Sequence, residues 1–278
     1  MIVDAHHHFW DPGTADYPWL TDDRAVIRRP FGPDDLAPEL AATGVRATVL
    51  VQTRSSQDET AGFLALAAAT PFIRGVVGWV DLTDPAVVDA IDTLRAGPGG
   101  ERLVGIRHQV QDEPDAEWLL RDDVVRGVRA VGAAGLAYDL LVRPRELPAA
   151  LELVGRLPDV RFVIDHLAKP SIATGGLEPW RSRLRAFAPL EHVACKVSGL
   201  VTEADWSSWT PADLQPFVDH AIEVFGPERL LFGSDWPLCL LAATYAQVVG
   251  TAGTILEGVS DSELAAVMGA NATRIYGL

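Results

Sequence analysis

Short apolar runs of strand type recur along the whole chain, separated by stretches rich in Ala and Leu. Eight stand out: IVDAHH from residue 2, RATVLVQT from 46, IRGVVGWV from 73, LVGIRHQV from 103, LAYDLLV from 136, VRFVIDH from 160, HVACKVS from 192 and RLLFGSD from 229. Between them QDETAGFLALAAAT, RDDVVRGVRAVGAAG, RELPAALELVGR and DLQPFVDHAIEVFG carry apolar residues at helical spacing. Alternating strand and helix patterns predict parallel strands joined by crossover helices. Nearly continuous apolar strands belong to a sheet covered on both faces. Eight such units predict an α/β fold, a single closed (β/α)₈ barrel of the TIM type over residues 1–278. No linker, low-complexity tract or fixed-period repeat marks a second domain.

The runs turn polar where they end. His8, Gln52, Asp81, Arg107, His166, Ser198 and Asp235 all fall at C-terminal strand ends, the end on which barrel active sites are built. The opening MIVDAHHHFWD is not a tag remnant, because its three histidines follow an apolar approach rather than a Gly/Ser linker. Strict pleat alternation puts His6 and His8 on one face with Ile2 and Asp4, and His7 with Val3 and Ala5 on the other. The same rule groups Phe162, Ile164 and His166, and likewise Leu231, Gly233 and Asp235.

Composition narrows the class. The 278 residues are 48% hydrophobic, enough for one sizeable core. A formal net charge of -15 argues against nucleic acid and anionic membrane as partners. No apolar run reaches the roughly 20 residues needed to cross a bilayer and no secretion signal is recognisable, so a soluble cytoplasmic protein is expected. Cys195 and Cys239 cannot make a disulfide framework and are expected as buried thiols. Without a secretion signal, the glycosylation pattern at Asn271 carries no weight. Oligomeric state is left open.

His6, His8, His166 and Asp235 form the candidate catalytic set. Imidazoles and a carboxylate suit one divalent ion, zinc first, which with an open position activates water or polarises a carbonyl. The same residues also work without metal, Asp235 taking a proton from water while the imidazoles hydrogen-bond a developing oxyanion. Structural alternatives are a strand-end histidine satisfied by backbone for His166 and a helix N-cap for Asp235. Arg107 offers a planar fork for a carboxylate, a ring oxygen or hydroxyls, and only one of Arg107 and His108 can face inward from a regular strand. Lys196 either meets substrate hydroxyls or lies beside the barrel core. Gln52, Asp81 and Ser198 are contacts by strand-end position alone. Among eight tryptophans, Trp10, Trp206, Trp209 and Trp236 follow strand ends; Trp10 and Trp236, nearest the catalytic ends, are assigned to the pocket, where indoles pack on apolar ligand faces and exclude water.

DAHHHFW, FVIDHLAKP, CKVSGLVTEADW and LLFGSDWP resemble the amidohydrolase superfamily, and within it the sugar-lactonase, L-fuconolactonase-like branch. GIRHQVQDEP adds to the resemblance, which runs from residue 2 to the terminal NATRIYGL. It implies hydrolysis of a sugar 1,4- or 1,5-lactone to the aldonate, with Asp235 activating water and His6, His8 and His166 polarising the carbonyl. It also implies either no required cofactor or one divalent ion. Dinuclear members use a carboxylated lysine and a further metal-binding histidine; Lys169 and Lys196 are poor matches, and Ser198 stands where that histidine is expected, which argues against a dinuclear centre. The alternatives are a pyrone-dicarboxylate-type lactonase or decarboxylase, which should need more than one pocket arginine, and a non-catalytic sugar-binding barrel.

Overall fold

The computed structural model describes residues 1–278. All eight expected strands form: β1 (Ile2–His7), β2 (Val45–Val51), β3 (Ile73–Gly78), β4 (Leu103–His108), β5 (Ala137–Leu140), β6 (Arg161–Ile164), β7 (Val193–Val197) and β8 (Leu230–Phe232). They pair in chain order, each parallel to the next. The seam between last and first strand closes through the segment after β8: Asp235 N donates to His6 O at 2.8 Å and His8 N to Trp236 O at 2.7 Å. A (β/α)₈ barrel results, and its closing bonds lie beside the catalytic candidates.

The helices are α1 (Pro33–Thr43), α2 (Gln57–Ala69), α3 (Val87–Ala96), α4 (Asp122–Ala133), α5 (Leu147–Arg156), α6 (Trp180–Arg185), α7 (Leu200–Glu203), α8 (Pro211–Phe225), α9 (Tyr245–Ile255), α10 (Asp261–Ala265) and α11 (Asn271–Tyr276). Their starts follow local chemistry. Thr210 and Asp213 form a capping box ahead of α8, with Pro211 in the first turn, and Thr244 with Gln247 does the same for α9. No helix is long and apolar enough to cross a membrane.

Two cores follow from strand alternation. Inside the barrel Val3, Ala5, Val49, Val77, Ala137, Val163, Ala194 and Leu231 pack together, small enough for the confined axis. Larger residues, among them Leu50, Ile106, Phe162, Ile164 and Phe232, face the helices. Ala272, Ile275 and Tyr276 of α11 join the inner core, so the C-terminal helix closes the N-terminal end. The opposite end is left to polar residues.

Candidate active site

At β1 the register departs from strict alternation. Asp4 pairs with Thr48 but His7 with Leu50, so β1 carries one extra residue and bulges. Val3, Ala5, His6 and His8 therefore turn inward, whereas Asp4 and His7 turn outward, which corrects the expected grouping of Asp4 with the two histidines. His6 Nε2 and His8 Nε2 come within 3.1 Å. His8 Nδ1 lies 2.8 Å from Val51 O; a carbonyl only accepts, so Nδ1 carries the proton and Nε2 presents a lone pair to the site.

His166 arrives differently from its expected route. Val163, not Phe162 or Ile164, lies in the inner core, and Asp165 follows Val163 inward. The strand stops at Ile164, and residues 166–169 all take left-handed φ between 51° and 59°. That non-glycine turn swings His166 back over the axis, with Nδ1 2.9 Å from Ser198 Oγ and Nε2 3.9 Å from Asp235 Oδ1. Gly199, itself at φ 63°, is needed below it, since a Cβ there would lie 2.6 Å from His166 Nδ1.

Asp235 also sits at left-handed φ, 57°. Outward-facing Asp4 holds it there: Asp4 accepts from Ser234 N at 2.8 Å, Ser234 Oγ at 2.6 Å and Tyr245 Oη at 3.1 Å. Gly233 leaves the space a Cβ would take 2.7 Å from His6 Cβ. Asp235 Oδ1 then stands 3.3 Å from His8 Nε2 and 3.8 Å from His6 Nε2. The four candidates do converge.

Beneath them is a buried charge network whose carboxylates were absent from the sequence expectations. Asp165 binds Arg107 Nη1 at 3.0 Å, Lys196 Nζ at 2.9 Å and approaches His6 Nδ1 at 3.4 Å. Lys196 also pairs with Asp139 at 2.6 Å, and Tyr276 Oη donates to Asp139 at 2.7 Å from α11. Asp165 was legible as the residue two beyond inward Val163. Asp139 follows inward Ala137 in the same way; Tyr276 had no local signal.

The other expectations divide. Arg107 faces inward, while His108 faces out, stacked on Trp118 at 4.2 Å and bonded to Glu113 at 2.7 Å. Above the histidines opens a cavity of about 530 Å³, lined by His8, His166, Asp235 and Arg107. Lys196 does not line it; the ammonium is fully buried beneath His6. Nor does Gln52, whose amide donates to Arg107 O at 3.2 Å and so supports the arginine from behind. Trp10 and Trp236 lie in the packing layer around Phe31, and Trp10 Nε1 donates to Ile27 O at 3.1 Å. Long loops bring Trp19 and Trp206 to the cavity instead, with Arg24, Arg143 and Lys169. Asp81 caps its own turn through Thr83.

Protonation follows from burial and these neighbours. Burial pushes His166 down to about 4, against the pull of Asp235, and lowers His6 well below the usual range with help from Lys196. Burial alone would raise Asp235, but His166 and His8 outweigh it and keep its carboxyl below the ordinary value. Asp165 likewise overcomes burial through Lys196, His6 and Arg107 and lies well below it. At neutral pH the site therefore holds neutral imidazoles at His6 and His166 beside an ionised Asp235.

The donor set fits one divalent ion. A tetrahedral ion with bonds of about 2.0 Å needs ligand atoms about 3.3 Å apart; His6, His8 and Asp235 offer separations of 3.1, 3.3 and 3.8 Å. The His8 Nε2 lone pair facing a carboxylate oxygen is an acceptor meeting an acceptor, which calls for a shared cation or proton. A second grouping of His6, Asp165 and His166 is less suited, since Asp165 is already committed to Arg107 and Lys196.

Residues 3–278 match the family model described as amidohydrolase. The chain belongs to the amidohydrolase family. It is 41% identical to an L-fucono-1,5-lactonase of Burkholderia multivorans, over 100% of this chain and 96% of that one. An L-fucono-1,5-lactonase of Burkholderia ambifaria is also 41% identical, over 87% and 82%. The crystal structure of an amidohydrolase from Burkholderia multivorans with bound zinc superimposes with a TM-score of 0.95 at 40% identity, covering 100% of this chain and 99% of that one. This amidohydrolase thus shares its barrel with a zinc-containing relative.

Proposed function

We propose that this amidohydrolase hydrolyses a lactone, and specifically opens an L-fucono-1,5-lactone-like sugar lactone to its aldonate. One observation carries the reading: an ionised carboxylate, Asp235, lies with two imidazoles and a guanidinium on the floor of one cavity. The fuconolactonase relatives support the substrate class.

Asp235 takes a proton from water as the water oxygen attacks the lactone carbonyl. Arg107 donates to the developing oxyanion through its second Nη2–H, since Asp165 and His6 Nε2 hold the Nη1 hydrogens and Gln52 O the first of Nη2; so does His166 Nε2–H, the tautomer left when Ser198 Oγ donates to Nδ1. The ring C–O bond then breaks, and the leaving alkoxide recovers the proton from Asp235. A divalent ion held by His6, His8 and Asp235 would supply Lewis-acid polarisation of the carbonyl. Trp19 and Trp206 cover ring faces, and Gln109, Gln111 and Thr202 offer partners for hydroxyls.

A second reading draws on Arg24, Arg143 and Lys169, which join Arg107 on the cavity wall. More than one cation is what a carboxylated lactone needs. A panel of L-fuconolactone, L-galactonolactone, an unsubstituted lactone of equal ring size and a pyrone dicarboxylate, read by acid release, decides between them. Each unmatched hydroxyl costs about 1–3 kcal/mol, so loss of two should lower kcat/KM by tens to tens of thousands of fold. Equal rates for hydroxylated and bare lactones would overturn the sugar reading, and preference for the dicarboxylate would favour the second. D235N should lose at least about a hundredfold in turnover while staying folded; near-normal turnover would remove Asp235 from the mechanism.

A further inference from the structure

We propose that Arg107 is a resident cation that competes with a divalent metal ion for His6, so that this chain holds down its own metal affinity. A metal bound by His6, His8 and Asp235 must take the lone pair of His6 Nε2. Arg107 Nη1, which only donates, already stands 3.3 Å from that atom. Its guanidinium is not free to swing aside: it is 3% exposed, tied by Nη1 to Asp165 at 3.0 Å and by Nη2 to Gln52 O. The Gln52 amide in turn holds the Arg107 carbonyl, fixing the residue at both ends.

The far side of the ring repeats the conflict. For Nε2 to offer a lone pair, Nδ1 must carry the proton and find an acceptor. Asp165 Oδ1 is available at 3.4 Å, but the Lys196 ammonium lies closer, at 3.2 Å, and can only donate. Both nitrogens of His6 thus face a fixed positive charge, and both charges are anchored by the same buried carboxylate, Asp165. An incoming divalent ion meets a ligand already engaged and a like charge that the low-dielectric surroundings screen poorly. His8 and Asp235 are open to it; His6 is contested. The guanidinium also supplies positive charge on the cavity floor with no ion present, so metal binding and oxyanion stabilisation draw on the same place.

The test reads metal affinity rather than turnover, and so stands apart from the identity of the lactone. Zinc binding to purified full-length protein is measured by competition with a chromophoric chelator, for wild type, R107Q, R107M and R107K, each checked for folding by circular dichroism. R107Q and R107M remove the charge and should bind zinc at least about tenfold more tightly than wild type, whereas R107K, which keeps a cation, should gain less than either. H6N should abolish the gain. The direction is informative, because a variant that merely loosens the site loses affinity. Unchanged or weaker zinc binding by both folded neutral variants would overturn the proposal, as would a full gain in R107K. Should both neutral variants fail to fold, wild type decides alone: zinc titration should perturb the ¹⁵N signals of the Arg107 guanidinium, and unperturbed signals at saturation would overturn the competition.

Discussion

Replacing Asp165 by Asn tests whether the network under the histidines is a structural keystone. The carboxylate is fully buried and binds Arg107 at 3.0 Å and Lys196 at 2.9 Å. At an effective dielectric of about 20, a unit pair at such a distance interacts by roughly 5 kcal/mol before desolvation is counted. Asn keeps the shape and one acceptor but leaves Arg107 without its only carboxylate, while Lys196 retains Asp139. Breaking a buried pair on one side costs about 3–5 kcal/mol. At about 2 °C per kcal/mol for a chain of this size, D165N should melt roughly 6–10 °C below wild type by circular dichroism. The exposed pair of Asp22 and Arg28, at the same 2.9 Å, is the control: D22N should not move the melting point measurably. Sign follows from the depressed carboxyl of Asp165. Its stabilisation is present above the ordinary value of 3.8 and is lost only as pH falls through the lower folded-state value, so the gap between wild type and D165N should persist at pH 5 and narrow in stronger acid. A melting point for D165N within about 2 °C of wild type at pH 7 would refute the reasoning.

The remaining predictions concern the groups above that network. Asp235 is ionised and His166, at about 4, is neutral across the neutral range, so kcat/KM should be flat from about pH 5 to 7 and fall on the acid side near or below 4, as His166 gains a proton and Asp235 loses its charge; an acid limb centred between 6 and 7 would contradict both assignments. G199A should cut turnover at least about tenfold while binding substrate with little change, because its Cβ would press on His166 Nδ1 from 2.6 Å and on Asp235 Oδ2 from 3.0 Å; wild-type turnover in G199A would show that neither position matters to the reaction.

The barrel was legible because its signal is redundant. Each of the eight strands declared itself by an apolar run, and no single misjudged boundary changes the order β1 to β8. The site was legible only where it follows from position along a strand. Arg107 at the end of β4 and Asp235 after Leu231 and Gly233 obey that rule. His6 and His8 share a face as alternation requires, yet Asp4 does not join them, because a bulge inserts a residue between Asp4 and His7. Nothing in the local sequence announces a bulge. His166 reached the right place for the wrong reason: counting from Phe162 assigned it inward by pleat, whereas the inward strand residues are Val163 and then Asp165, and a left-handed turn returns His166. Trp19 and Trp206 illustrate the opposite limit, since loop residues have no period to count and Trp10 and Trp236 were chosen only for proximity in sequence.

The same contrast explains how a chain of net charge -15 builds a cavity edged with Arg24, Arg107, Arg143 and Lys169. Net charge describes solvated groups, which salt screens within about 10 Å, while the cavity's potential is set by what lies a few ångströms below its floor. There Asp139 and Asp165 face Lys196 and Arg107, so the buried layer is close to balanced and His6 and His166 above it stay neutral. The wall then mixes signs, Lys169 lying 3.7 Å from Glu203 and Asp112 facing the same space, so Arg24 and Arg143 are the cations left to act on whatever enters. On the proposed reading a neutral sugar lactone crosses this field unaffected; the aldonate formed from it does not. Its carboxylate appears among these cations, and product release is consequently the step at which ionic strength should act.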